Sequence, residues 1–447
     1  LSTKISYKLG VVIVALLGCF TVQVKGQSTI NSPYSFFGIG DLYSDGLVKN
    51  LSMGDTKYAI FDAFHANPAN PASYSSLETT TFNVAFNVQS NRLSSDNVDQ
   101  RYDEFGLRYF SLGLPVAKRF GLALGLTPVS RIGYNISNVS VVENEVIESS
   151  YTGSGGVSKV YIGGSYSIVK DSLQTLSLGG NLGYYFGPIQ NTRYVEFPNN
   201  TSAYTSYVNS RENVSDLRYT LGLQYRRNIS RLLTSKQHLE RYISVGGSYN
   251  FAGDMNTRRE YFATSLSGSA IRDSVSFIRD TGAIYIPEKW GAGITFELHN
   301  SETNRRLLLA ADYEFSPWSQ MEKFDENQNL NDAWQSSFGI EFFPDDEATR
   351  GFLKMMRYRA GFRYGQSYYK VQEQDINYYG ISFGLGLPLV KSRSAQRFSS
   401  SINLGVEYGQ RAFDNTGLID EQFTTFTVGI TLSPGFWDKW FVTKKIE

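Results

Sequence analysis

The sequence predicts an all-β fold: a transmembrane antiparallel β-barrel of about fourteen strands, closed by an N-terminal plug (hatch) segment. Three observations predict it. From Thr79 onward almost every stretch alternates apolar and polar residues, as Phe82, Val84, Phe86 and Val88 do against Thr81, Asn83, Ala85 and Asn87. A period of two gives a strand two different faces. The composition is rich in Tyr (30), Phe (30) and Gly (41), with 19% charged residues and a single cysteine. A barrel shows lipid only every second residue, so its mean hydropathy stays low. The connections, finally, sort by parity into short and long, which a soluble sandwich has no reason to do. The zero formal net charge leaves no basic footprint for nucleic acid.

Residues 1–26 read as a signal peptide. Lys4 and Lys8 supply the positive start, Leu9–Phe20 the apolar core, and Val24-Lys25-Gly26 the cleavage site that leaves Gln27 first. A rival reading takes Leu16-Leu17-Gly18-Cys19 as a lipoprotein box with Cys19 lipidated. It is the weaker of the two, because apolar residues continue past Cys19. If the signal is removed, no cysteine remains for disulfide or thiol chemistry.

Residues 27–78 form the plug. Glycines, Pro33 and bulky aromatics mix without a period, and so short a stretch cannot build its own core. Only Asp55–Phe64 could make a short helix. The plug ends in Ala66-Asn67-Pro68-Ala69-Asn70-Pro71-Ala72-Ser73-Tyr74 and hands over to the barrel, residues 79–432. Strand candidates run from Thr79–Gln89 to Phe423–Leu432, each near the roughly 9–11 residues that a tilted membrane strand needs. Leu217, Tyr219, Leu221, Leu223 and Tyr225 share one face; Trp290, Ala292, Ile294, Phe296 and Leu298 repeat the pattern. The second strand slips phase between Tyr109 and Phe110, which a bulge would explain. Short turns such as Pro115–Phe120 and His299–Arg305 alternate with long loops, the longest being Ala252–Lys289. Residues 433–447 are a periplasmic tail, and both termini are placed in the periplasm.

With the apolar face on lipid, the opposite face lines the lumen. It carries Arg108, Arg218, Glu297, Asp312, Glu341, Arg359, Arg363 and Glu407, together with Lys159, Arg306, Glu314 and Arg357. Both signs occur in similar amounts, so ion pairs and hydrogen bonds to the plug are expected in place of a wide pore. A structural role for these charges is preferred to a substrate site.

Chemistry finds little support. His238 and His299 fall in predicted turns, and His65 lies three residues after Asp62 without a nucleophile or a second base nearby. No cluster suits a metal, Phe37-Gly38-Ile39-Gly40-Asp41 lacks a strand–helix context for a nucleotide, and the acidic loop Gln320–Asp332 reads as a solvated loop before it reads as a calcium site. The protein is expected not to be an enzyme and to need no cofactor.

The chain resembles the FadL/OMPP1/TodX outer-membrane transport family, in the Bacteroidetes-type branch that includes PorV-like relatives. The resemblance rests on Met53-Gly54-Asp55 through Asp62 to Asn67-Pro68-Ala69, on Ile286-Pro287-Glu288-Lys289-Trp290-Gly291, on Ala311-Asp312-Tyr313 followed by Trp318, and on Glu407-Tyr408-Gly409 through Phe436-Trp437-Asp438-Lys439-Trp440-Phe441. It implies a bacterial outer-membrane barrel with a hatch, to which Asp62, Asn67, Pro68, Ala69, Asn70 and Pro71 belong. It also implies passive uptake of hydrophobic, fatty-acid-like small molecules. The alternative from the residues is a non-transporting barrel subunit of an outer-membrane protein secretion or assembly complex, favoured by the charged lumen. Expected partners are outer-membrane lipid and lipopolysaccharide, a hydrophobic ligand, and other outer-membrane proteins.

Overall fold

The computed structural model describes residues 32–433, apart from 96–97, 144, 201, 231–237, 268–269, 346–347, 349–350, 392–397 and 414–416. The signal segment with Cys19, residues 27–31 of the plug, the tail beyond 433 and the motif Phe436–Phe441 lie outside the described residues.

Three two-residue bridges aside, the strands are β1 (Thr81–Ser95), β2 (Val98–Ala117), β3 (Phe120–Pro128), β4 (Ser130–Val142), β5 (Glu145–Gly155), β6 (Ser158–Lys170), β7 (Gln174–Glu196), β8 (Thr205–Asn228) and β9 (Leu239–Asn250). They continue as β10 (Gly253–Ser267), β11 (Ala270–Ile286), β12 (Lys289–Asn300), β13 (Arg305–Ser316), β14 (Ala333–Phe343), β15 (Arg357–Val371), β16 (Gln374–Lys391), β17 (Phe398–Arg411) and β18 (Asp420–Leu432). All except β4, β5, β10 and β11 form the wall, a closed antiparallel ring of fourteen strands. The ring shuts where β1 pairs with β18, from Phe82↔Leu432 to Ser94↔Asp420. Closure leaves no open edge at membrane depth, which is the condition for a sheet to cross a bilayer.

The alternation sets which face is which. Thr81, Asn83, Ala85 and Asn87 are buried inward, while Phe86, Leu217, Tyr219, Leu221, Leu223, Ile294, Phe338 and Phe383 stand exposed on the outer surface. An apolar band of this extent does not suit water and matches a lipid-facing belt. The phase slip in β2 is a bulge one residue from where the pattern places it: Ala85 pairs with Tyr109 and Phe86 with Leu107, leaving Arg108 as the extra residue.

The connections at one end are short turns. Those at the other end differ from the expected loops, because they are largely folded strand. β1 and β2, β7 and β8, and β15 and β16 run on as tall hairpins. β4–β5 and β10–β11 are further hairpins, docked on β7 and β8. Near their bases these hairpins bury an inner face, with Ile132, Tyr134, Ile189, Met255, Ile284 and Tyr368 in one apolar cluster, whereas the outer half of β4 is exposed on both faces and shows no apolar–polar alternation.

The N-terminal segment, residues 32–78, carries two 3-10 turns (Pro33–Phe36 and Pro71–Ser76) and one helical turn, α1 (Val48–Leu51). The helix expected at Asp55–Phe64 does not form. Its carbonyls are claimed from outside: those of Lys57 and Tyr58 accept from Asn67 and Asn70 at 2.7 Å each and that of Ile60 from Gln224 of β8 at 3.0 Å, while the amides of Lys57 and Tyr58 bond Asp312 Oδ2 at 2.5 and 3.0 Å.

A septum across the lumen as the candidate functional site

Residues 48–78 lie around the inside of the ring and meet the wall strands in reverse order. Val48 packs at Gly429 of β18, and Ser52 at Gly405 and Gly384 of β17 and β16. Met53 and Gly54 follow at Gly361 and Gly339 of β15 and β14. Asp312 of β13 takes the Lys57 and Tyr58 amides. Tyr58 then covers Gly291 of β12 and Gly246 of β9. Asn70 and Pro71 reach Gly222 and Gly179 of β8 and β7, the Ser75 amide bonds Ser165 Oγ of β6 at 2.5 Å, and Tyr74 and Leu77 close on Gly121 and Gly113 of β3 and β2. The chain then turns into β1.

These glycines are required by space. A Cβ at Gly361 would lie 2.0 Å from the Gly54 nitrogen, one at Gly121 2.0 Å from the Tyr74 carbonyl oxygen, and one at Gly246 2.2 Å from that of Tyr58. Gly54 is constrained doubly, with φ at +67° and the carbonyl oxygens of Phe338 and Phe362 within 2.6 Å of where its Cβ would stand. Only a residue without a side chain fits such an approach. Sequence reasoning missed this ring. Its signal was present as glycines on the inward phase of strand after strand.

The handover motif supplies the fixing bonds. Asn67 Nδ2 donates to the Lys57 carbonyl at 2.7 Å and its Oδ1 accepts from Ala69 N at 3.1 Å. The Pro68 carbonyl accepts from Asn181 Nδ2 of β7 at 3.3 Å. Asn70 caps the 3-10 turn that Pro71 begins: its Oδ1 accepts from Ala72 N at 3.1 Å, while Nδ2 donates to the carbonyls of Tyr58 (2.7 Å) and Leu223 (3.0 Å). One buried amide thus ties two parts of the segment to β8. Asp62 is contacted by Lys49 Nζ and, at 3.0 Å, by His65 Nδ1. Burial alone would raise its carboxyl, but His65, Lys49 and Arg357 outweigh that and hold it well below the usual carboxylate range.

The lumen charges divide in their roles. Glu341 pairs with Arg359 at 2.7 Å, and Arg359 also donates to Asn403 Oδ1 at 2.8 Å. Glu297 is shared by Arg226 (3.0 Å) and Arg306 (2.7 Å). Arg363 pairs with Glu407 at 2.5 Å. Asp312 serves backbone amides, and among the described residues no cation forms an ion pair with it. Arg218 donates to the carbonyls of Phe251 (2.5 Å), Ile286 (3.3 Å) and Pro287 (3.3 Å), and Arg108 stacks over Tyr43 and donates to the Ser44 carbonyl. The last two hold loop and segment backbone in place of a carboxylate.

The septum leaves a chamber on each side. The one toward the tall hairpins, about 280 Å³, is lined by charge and aromatics together, including Asp45, Lys159, Arg218, Trp334 and Tyr369. Burial would push the Asp45 carboxyl up, but Lys159, Lys289 and Lys57 draw it below the usual range. The other chamber, toward the short turns, is about 370 Å³. Between them Asp55 and Lys57 are buried and paired at 2.7 Å. No grouping of three or more His, Cys, Asp or Glu suited to a metal occurs among the described residues. His238 lies in a turn; His299 stands at the end of β12, 3.5 Å from Glu240.

The sequence profile of the BamG family matches residues 8–447. The chain belongs to the BamG family. Among curated proteins none matches it. Its fold is shared with solved outer-membrane channels. The Ralstonia pickettii toluene transporter TbuX is 13% identical, with 87% of this chain and 99% of TbuX covered at a TM-score of 0.51. The CymD monoaromatic hydrocarbon channel is 14% identical, with 89% and 99% covered at 0.50. The BamG chain therefore has the barrel of FadL-type channels, and at this identity the likeness is one of fold.

Proposed function

We propose that this BamG-family protein works in the outer membrane as a barrel whose lumen is shut. In this reading it is a non-transporting subunit of an outer-membrane complex for protein secretion or assembly. The septum is the observation that carries the proposal. The segment meets strand after strand around the ring, backbone to backbone at Gly361, Gly339, Gly246, Gly179 and Gly121 and through side chains elsewhere, so opening a passage would require moving much of residues 48–78 at once. Neither adjoining chamber is an apolar tunnel, and the tall hairpins offer protein surface outside the membrane for contacts. The test is gentle affinity purification from native outer membrane, with mass spectrometry of bound proteins and bound lipids. A stoichiometric outer-membrane protein partner without an enriched hydrophobic ligand is expected.

The second reading is passive uptake of a hydrophobic, fatty-acid-like molecule, and the fold shared with hydrocarbon channels favours it. In that case the purified barrel would stand alone and carry the greasy molecule. The PorV-like branch, the plug boundaries at 27–78 and periplasmic termini are part of the proposal and rest on the sequence motifs.

A further inference from the structure

The short-turn chamber is not short of carboxylates overall, since Glu78, Asp171 and Glu240 stand at its mouth beside Lys170, but on its septum side one cation is left without an acid. On its septum side Lys49, Arg226, Arg306, Arg357 and, behind them, Arg359 stand against Asp62, Glu297 and Glu341. Each acid is engaged: Asp62 by Lys49 and His65, Glu297 by Arg226 and Arg306, Glu341 by Arg359. Arg357 is left over. Among the described residues no carboxylate lies within ion-pair distance of it, and its guanidinium lies over the Phe343 ring, 5.0 Å from the centroid. Arg359 Nη2 and His65 Nε2, both in buried residues, also lack a partner. Arg357 is half-buried, and a cation partly withdrawn from water with no acid beside it is stabilised by a bound anion.

The rest of the chamber narrows the class of anion. Phe61, Ile60, Leu308 and Phe343 give it an apolar side. Its mouth carries Glu78, Asp171 and Glu240, which repel polyanions. Its volume of about 370 Å³ suits one small group.

We infer that the short-turn chamber is a binding site for one organic carboxylate, held by Arg357 with its apolar part against Phe61 and Phe343. The anion is either a free small acid or the carboxyl end of a polypeptide. The inference goes beyond both functional readings and does not depend on which of them holds.

The experiment is calorimetric titration of the purified full chain in detergent at low salt. The probes are 3-phenylpropionate for a free acid, N-acetyl-leucine for a chain end, the neutral amide of each, and inorganic phosphate. At least one acid is expected to saturate a single site, with its amide and phosphate at least tenfold weaker. Arg357→Gln should weaken that acid at least tenfold, and Arg357→Lys by less. Arg92→Gln, on an outer hairpin, should leave it unchanged. Whichever acid binds tighter names the source. Retention of folded mobility on an unheated gel shows that a variant still forms its barrel; if Arg357→Gln does not, the Arg357→Lys and amide comparisons decide. Equal binding of acid and amide, unchanged binding in Arg357→Gln, equally tight phosphate, or no saturable binding of either acid would overturn the site.

Discussion

The two chambers on either side of the septum solve the same electrostatic problem differently. Toward the tall hairpins the charges are matched in a connected set: Arg131 with Glu104, Arg411 with Asp41 and Glu421, Arg363 with Glu407, and Lys159 and Lys289 with Asp45. The cations without acids there, Arg108 and Arg218, satisfy backbone carbonyls. Toward the short turns Arg357 is left without an acid among the described residues, while Glu78, Asp171 and Glu240 gather at the chamber's mouth. The difference teaches that lumen charge in this barrel is not one uniform lining. One chamber is a finished network that orders the segment and the hairpins. The other is polarised.

The largest effect should come from the septum that separates them. Gly361→Val places side-chain atoms where Gly54 and Met53 lie, and backbone facing backbone cannot move aside as a side chain could. We expect loss of the folded barrel, read as loss of folded mobility on an unheated gel. Breaking the short-turn side comes next. Glu341→Ala leaves Arg359 buried with half its partners and should cost roughly 3–5 kcal/mol, measured by denaturant titration. The matching change on the other side, Glu407→Ala, should cost less, about 1.5–3 kcal/mol, since the Arg363 side chain is 20% exposed and can turn to water whereas that of Arg359 is fully buried. A larger loss from Glu407→Ala than from Glu341→Ala would reverse the comparison.

A smaller effect is expected from pH. Burial holds the His65 imidazole below its ordinary range, although Asp62 pulls the other way. The unfolded chain therefore takes up the proton first, and stability falls as pH drops through about 6.5. Asp62, held low in the fold, adds its own loss only as pH falls below about 4. His65→Gln should flatten the dependence between pH 7 and 5 in the same denaturant titration and leave the acid limb. Smallest of all, Asp99→Asn in the exposed Arg92–Asp99 pair of a tall hairpin should leave the unfolding midpoint unchanged.

How much was legible in the sequence follows the same division. The wall strands were readable because a lipid face and a packed lumen face force strict alternation, as in Leu217–Tyr225. Inward placement of Asp312 or Arg359 follows from the same phase. The tips of the tall hairpins were not readable, because strand exposed on both faces, as in the outer half of β4, has no alternation to show, and the apolar residues that their bases bury against one another are too scattered along the chain to set a period. The helix expected at Asp55–Phe64 failed for a nonlocal reason: Asn70 and, from the wall, Gln224 take the carbonyls of Tyr58 and Ile60 that a helix would need. The septum was half legible. Asn67 and Asn70 stood in the motif that ends the plug, but the glycines opposite them carry meaning only once the segment is seen against the wall.

Closure of the lumen by residues 48–78 is open to a direct test, single-channel recording of the purified full chain in a planar bilayer. A shut barrel gives no stepwise conductance at moderate voltage from a chain whose folded mobility confirms an intact barrel. Steady ohmic steps from that same preparation would contradict it, and would turn the septum from a wall into a gate.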